Sequence, residues 1–315
     1  LDVVTLGETM LAFSPVQDGP LDTVHGFEKK LAGAESNVAI ALSRLGYRTA
    51  WVSRLGKDPF GRWIYKTLRG EGVDVSGVTF DPIRPTGLYI KERLGGKQTR
   101  IYYYRSGSAA SAMDQGLVDL PAFSEAAILF VTGITPALGS SCKKAVFAAL
   151  DKAREQGMKV VFDPNYRGKL WSRKEAAPVF RQIASRSHLV LPGLAEGELM
   201  TGATDPESVA ENLRSLGARQ VVVKLGPRGA YYQTEQKDGY VPGFQVSQEV
   251  DEVGAGDAFA AGCLSGLLDG LDPDSAVKRA CALGALAVTV KGDYESLPDR
   301  EELHCFLQGE TGTQR

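Results

Sequence analysis

The stretch Asp251-Glu252-Val253-Gly254-Ala255-Gly256-Asp257-Ala258-Phe259 decides how this chain is read. An acid, a turn of small residues and a second acid open the apolar, proline-free run Ala258 to Leu268, which reads as a buried helix. Gly254, Ala255 and Gly256 carry almost no side chain, so a ligand can approach their backbone. The first N–H groups of a helix lack intrahelical partners and carry partial positive charge, which makes this turn a candidate anion site. Asp257 then stands where a carboxylate would face the bound anion. That arrangement suits phosphoryl transfer, with Asp257 taking the proton of an acceptor hydroxyl. A position at a helix N-terminus predicts that this carboxyl favours its charged form. The same residues also suit a plain loop with an N-capping aspartate. Phe259 occupies the place of the third small residue of a dinucleotide fingerprint, and no Gly-x-x-x-x-Gly-Lys-Ser/Thr occurs, so neither of those phosphate motifs applies.

Upstream, Val3-Val4-Thr5-Leu6 reads as a buried strand ending at Gly7-Glu8. Ala32-Gly33-Ala34-Glu35-Ser36-Asn37-Val38-Ala39 leads into Ile40, Leu42 and Leu45 at helical spacing and stops at Gly46. Asn37, one turn in, is placed to hold a polyol or simply to hydrogen-bond its own helix. Strand-like runs at Thr49–Leu55, Ile128–Val131, Val160–Phe162, Leu189–Pro192 and Val221–Lys224 alternate with helical stretches, among them 140–156 and Ala276–Val290. Such alternation predicts an α/β fold with a mostly parallel sheet. Two insertions break the rhythm: the turn-rich residues 10–31, and the β-rich runs Gly87–Glu92 and Arg100–Arg105 joined by Gly95-Gly96-Lys97. Together they predict a small β lid, about 10–31 and 87–105, on a single domain spanning 1–315.

Polar groups just past the C-terminal ends of strands are where open α/β sheets place their sites. Asp163-Pro164-Asn165-Tyr166-Arg167 is one such group, although Arg167 would also suit a surface ion pair. Glu196 and Glu198 could hold magnesium through water, or favour the start of a helix. Lys224-Leu225-Gly226-Pro227-Arg228-Gly229 is a glycine-rich turn with two cations, suited to nucleotide phosphates. With 36 Lys and Arg against 38 Asp and Glu, the chain offers no basis for binding nucleic acid or a membrane surface. Its four cysteines are widely spaced with no Cys-x-x-Cys, which predicts reduced thiols in the cytoplasm. No apolar run has the length of a membrane span.

Taken together, the two small-residue stretches resemble the two signatures of the ribokinase-like (phosphofructokinase-B) family of carbohydrate kinases. Ala32 to Ala39, with Gly46 and Gly56 downstream, is similar to the N-terminal signature, and Gly254 to Phe259 to the C-terminal one. The resemblance covers residues 2 to 308. It implies a three-layer α/β/α fold with a β lid over the sugar, ATP with Mg2+, and often a monovalent cation such as K+. By it, Asp257 is the catalytic base, and Gly254, Ala255 and Gly256 form the anion hole. Gly33, Asn37 and Asp251 serve the substrate; Asn165, Lys224, Gly226, Arg228 and Gly229 serve the nucleotide. Three positions depart from the family pattern: Glu252 replaces Thr or Pro, Gly193 replaces Asn, and Cys281 stands where Asn is common near the adenine.

A sugar acid needs a guanidinium for its carboxylate, whereas a neutral sugar does not. Tyr102-Tyr103-Tyr104-Arg105, the Asp163–Arg167 run and Gly292-Asp293-Tyr294-Glu295-Ser296-Leu297-Pro298 resemble the kinases of 2-keto-3-deoxygluconate within that family. That resemblance implies Tyr89, Tyr103, Arg105 and Arg167 around a sugar acid, although alternating tyrosines also suit plain packing. A fructokinase or other neutral-sugar kinase is the alternative. A nicotinamide oxidoreductase would need the missing fingerprint, and a catalytically silent sugar-acid sensor would have lost the base or the anion hole. An exposed lid edge would favour a homo-oligomer.

Overall fold

Val3 and Val4 are both fully buried, yet their side chains enter different cores. The same alternation recurs at Leu129 and Phe130 and at Val221 and Val222, as a sheet covered on both faces requires. The structure, a computed structural model, describes residues 1–95, 99–246 and 248–309. Its main sheet has nine strands in the order β13-β12-β11-β10-β9-β8-β1-β4-β5. These are β1 (Val3–Leu6), β4 (Thr49–Gly56), β5 (Val78–Asp81), β8 (Ile128–Thr132), β9 (Lys159–Asp163), β10 (Leu189–Val190), β11 (Gln220–Lys224), β12 (Ala230–Gln233) and β13 (Asp238–Val241). All neighbours from β5 to β11 are parallel; β12 and β13 add an antiparallel edge.

The strand order runs away from β1 in both directions, so the switch point lies between β1 and β8. One face carries α1 (Ala34–Arg44), α2 (Pro59–Gly70), α9 (Ala255–Leu268), α10 (Pro273–Ala287) and α11 (Arg300–Gln308). The other carries α3 (Ala122–Glu125), α5 (Ser140–Gln156), α6 (Arg173–Ala184), α7 (Leu194–Thr201) and α8 (Pro206–Ser215), with the short α4 (Ile134–Ala137) following β8. Helix α9 is apolar all round because it lies between α1 and α10. Gly262 and Gly266 leave room for Ala280 and Ala276 of α10 against its backbone.

A second sheet of four strands, in the order β3-β2-β6-β7, is built from β2 (Met10–Pro15), β3 (Phe27–Ala32), β6 (Leu88–Arg93) and β7 (Thr99–Tyr104). These are the two insertions that interrupt the α/β rhythm. Gly96 and Lys97 of the expected hairpin turn lie outside the described residues, as do 310–315 of the tail. Two boundaries differ from expectation. The strand at Leu189 ends at Val190, ahead of Pro192, which has no N–H for the ladder. Helix α10 begins earlier, at Pro273, because Asp272 caps it.

Candidate active site

Two helix mouths meet beside the switch point. Helix α1 starts after Gly33, where a Cβ would lie 2.6 Å from Thr9 Oγ1 and 2.7 Å from the Glu8 carbonyl. Helix α9 starts after Gly254, whose φ of 82° and contact with the Asp293 carbonyl both demand glycine. Asn37 Nδ2 donates to Asp257 Oδ2 at 2.8 Å, tying the two first turns together. Asp257 departs from the sequence expectation. Burial at the cavity floor raises its pKa, and the Asn37 hydrogen bond and the charges of Arg167 and Lys224 only partly offset it. Desolvation is the largest influence on this carboxyl and acts against the helix terminus.

Two cavities share this floor. One, of about 430 Å³, is lined by Gly33, Asn37, Tyr89, Tyr103, Arg105, Asn165, Arg167, Glu196, Gly254 and Asp257, together with Glu8, Lys91, Asp163 and Asp293. The other, of about 520 Å³, is lined by Gly226, Pro227, Gly229, Phe244, Ala255, Phe259, Cys281, Gly284 and Val288. Lys224, Glu252 and Gly256 line both, so the cavities adjoin at the first turn of α9.

Charge pairing inside the smaller cavity is uneven. Arg105 donates from Nε to Glu8 Oε2 at 2.8 Å and forms a second, shorter contact through Nη2, while Ser108 Oγ donates to Glu8 Oε1 at 2.6 Å. Arg105 therefore lines the cavity with its charge already balanced by Glu8. Lys224 Nζ sits 2.7 and 2.9 Å from the two oxygens of Asp163, so its ammonium too has a partner. Burial raises Asp163 and Lys224 opposes the shift. Asp293 is pushed up to about 7 by burial, against the pull of Lys91, and its Oδ1 has no hydrogen-bond partner.

Other expected residues are placed differently. Asn165, the one non-glycine residue with positive φ (37°) among those described, lines the smaller cavity and not the larger, its N–H held 3.1 Å from Asp163 Oδ1. Asp251 lines neither cavity; its carboxylate is turned into its own loop, accepting from Val253 N–H at 3.2 Å. Arg228 is exposed and outside both linings, because Gly229 at φ 96° turns the chain straight back into β12. Glu198, about half a turn beyond Glu196 on α7, faces away from it and is exposed. Glu196 accepts from Gly193 N–H and Tyr166 N–H, each at 2.7 Å, which joins α7 to the loop after β9. No cluster of three or more His, Cys, Asp or Glu side chains suited to a metal occurs among the described residues.

From sequence, Glu8 and Lys91 have no assigned site role, and Asp163 and Asp293 enter only within the stretches Asp163–Arg167 and Gly292–Pro298, without roles of their own. Glu8 and Asp163 carried a usable signal, since each ends or follows a central strand. Lys91 did as well, standing two residues from Tyr89 on the same strand face. Asp293 follows no strand, and its one signal is the resemblance carried by the stretch Gly292–Pro298.

A family model described as pfkB family carbohydrate kinase matches residues 1–300. The chain belongs to the pfkB family of carbohydrate kinases. Within it, the chain is 42% identical over 312 residues to the 2-dehydro-3-deoxygluconokinase of Bacillus subtilis (strain 168), covering 98% of this chain and 96% of that one. The crystal structure of a PfkB protein from Polaromonas sp. JS666 superposes with a TM-score of 0.89 at 42% identity, over 96% of this chain and 99% of that one. A fructokinase double mutant from Vibrio cholerae O395, bound to fructose, ADP and potassium ion, superposes with a TM-score of 0.84 at 31% identity, over 97% and 98%. No helix among the described residues of this pfkB-family kinase is long and apolar enough to cross a membrane.

Proposed function

We propose that this kinase transfers the γ-phosphoryl group of ATP to 2-keto-3-deoxygluconate, giving the 6-phosphate, with Asp257 as the base. The observation that carries the reading is the meeting of two cavities at the Gly254–Gly256 turn, with Asp257 on the floor of one. The acceptor occupies the smaller cavity, where Gly33 and Asn37 hold hydroxyls, Tyr89 and Tyr103 line the wall, and Arg167 meets the carboxylate. ATP occupies the larger one, its adenine near Cys281, Phe244 and Val288, its phosphates along Gly226 to Gly229 and Lys224. The helix N–H groups after Gly254 face the transferred phosphoryl group, where their partial charge offsets the charge of the transition state.

Phosphoryl transfer through a loose transition state asks little base strength of Asp257, and its burial keeps it a better base than an exposed aspartate. Glu196 lines the acceptor cavity with one N–H on each oxygen, which leaves lone pairs for a magnesium-bound water. Mg2+, when bound, neutralises phosphate charge; the chain's part is to orient its waters. A monovalent cation beside the 251–253 loop belongs to the same reading, supported by the potassium in the fructokinase neighbour. So does a cytoplasmic homo-oligomer formed through the second sheet acting as a lid, whose edge strand β7 exposes Tyr102 and Tyr104.

The test is ADP release with ATP and magnesium, offering the keto acid, fructose and ribose separately. A preference for the keto acid that Arg167→Ala abolishes is expected. A preference for fructose would overturn the acceptor and keep the kinase, an alternative that the fructose-bound neighbour supports.

A further inference from the structure

Four cations line the acceptor cavity: Lys91, Arg105, Arg167 and Lys224. Arg105 is balanced by Glu8 and Lys224 by Asp163. The other two form no ion pair within 4.0 Å among the described residues. Arg167 is exposed at the rim, whereas Lys91, on β6 of the second sheet, is only 8% exposed. The nearest aromatic face offers Lys91 little, since its Nζ lies 6.0 Å from the Tyr89 ring centroid. The buried acid that feels its charge, Asp293, stays outside ion-pair range. The side chain of Lys91 is buried while its ammonium opens to the cavity without a close partner, so an anion brought beside it there is attracted in a medium where charge is weakly screened, and an uncharged occupant closes it off unpaired.

We infer that Lys91 is a specificity-determining residue of this kinase, a second cation beside Arg167 that reads the acidic end of the acceptor from the second sheet. The inference rests on the sugar-acid reading given above. Lys91 does not line the larger cavity, so the nucleotide's phosphates are not its target. Both free cations are near Tyr89: Lys91 faces its ring, and the charge of Arg167 is felt at its hydroxyl. The exposed guanidinium is hydrated and screened, so it attracts an acid without strongly rejecting a neutral sugar. The Lys91 ammonium does both, because a neutral acceptor filling the cavity leaves it enclosed and unpaired.

The experiment compares wild type, Lys91→Met and Lys91→Arg with 2-keto-3-deoxygluconate and with fructose, by steady-state kinetics and by titration calorimetry. Lys91→Met is expected to lower the keto-acid to fructose ratio of kcat/KM by roughly 10- to 100-fold, mainly through KM. Lys91→Arg should restore much of it. Equal losses on both acceptors would make Lys91 a mere support for Asp293 and overturn the inference. A wild type that turns over fructose better would instead remove the proposed acceptor. In that case calorimetry still decides for Lys91, because keto-acid binding unaltered by Lys91→Met overturns its role. Binding of a non-hydrolysable ATP analogue checks that each variant is folded.

Discussion

Asn37 Nδ2 lies 2.8 Å from Asp257 Oδ2, a hydrogen bond that spans 220 residues of sequence and joins the first turns of α1 and α9. It stabilises the ionised carboxylate against the burial that raises its pKa. Asn37→Ala should therefore raise that pKa further. As the proposed base, Asp257 must be ionised to act, so activity should be lost as pH falls through its pKa, and the acid limb of kcat should move to higher pH. A fall in kcat of about tenfold at neutral pH is expected with the loss of orientation. A kcat–pH profile superposable on wild type from pH 5 to 8 would sink the idea.

Asp257→Asn keeps the shape of the cavity floor and removes the proposed proton acceptor. Turnover should drop by about two orders of magnitude or more, with ATP binding nearly unchanged. Single-turnover kinetics with calorimetry of the nucleotide separates the two effects. Near-wild-type turnover would remove Asp257 from its role.

Glu35 contributes to stability with a sign opposite to that of most acids. Its carboxyl is fully buried, with the Thr132 and Thr135 hydroxyls each 2.7 Å from Oε1 and no partner on Oε2. Burial pushes it from the ordinary 4.5 up to about 7. Between those values the folded chain holds a proton that the unfolded chain has released, so stability falls as pH rises through this window. Glu35→Gln, which cannot ionise, should escape that loss, on the order of 3 kcal/mol by pH 7 and above. Urea denaturation of both proteins at pH 5 and pH 8 measures it, and an equal difference at the two pH values would contradict it.

Lys224 and Asp163 form an enclosed ion pair lining the smaller cavity, with Asp163 1% exposed. Lys224→Met strands that carboxylate and should cost about 3–5 kcal/mol of folding stability. Adding Asp163→Asn to it should recover a good part, because no unpaired charge then remains. A double variant as unstable as the sum of the two single ones would mean that the pair is not coupled.

Local pattern was enough to determine the class of fold. Apolar runs buried on both faces, such as Val3–Leu6 and Val221–Val223, can only be central parallel strands, and small residues before α1 and α9 mark helix mouths that a ligand can approach. Asp257, Asn37, Gly33 and Lys224 were legible as site candidates for the same reason, since each stands at a fixed offset from a strand end or a helix start. Charge balance was not legible. Arg105 and Glu8 are 97 residues apart and Lys224 and Asp163 are 61 apart, and nothing in either neighbourhood announces its partner. Only the tertiary structure decided which guanidinium was spent and which was free, and that Asp257 is raised where its helix position alone predicts the reverse. Pattern in sequence reports what a residue does to its own few neighbours along the chain. Ion pairing and desolvation depend on which distant surfaces close around a group, and only the packed fold sets that.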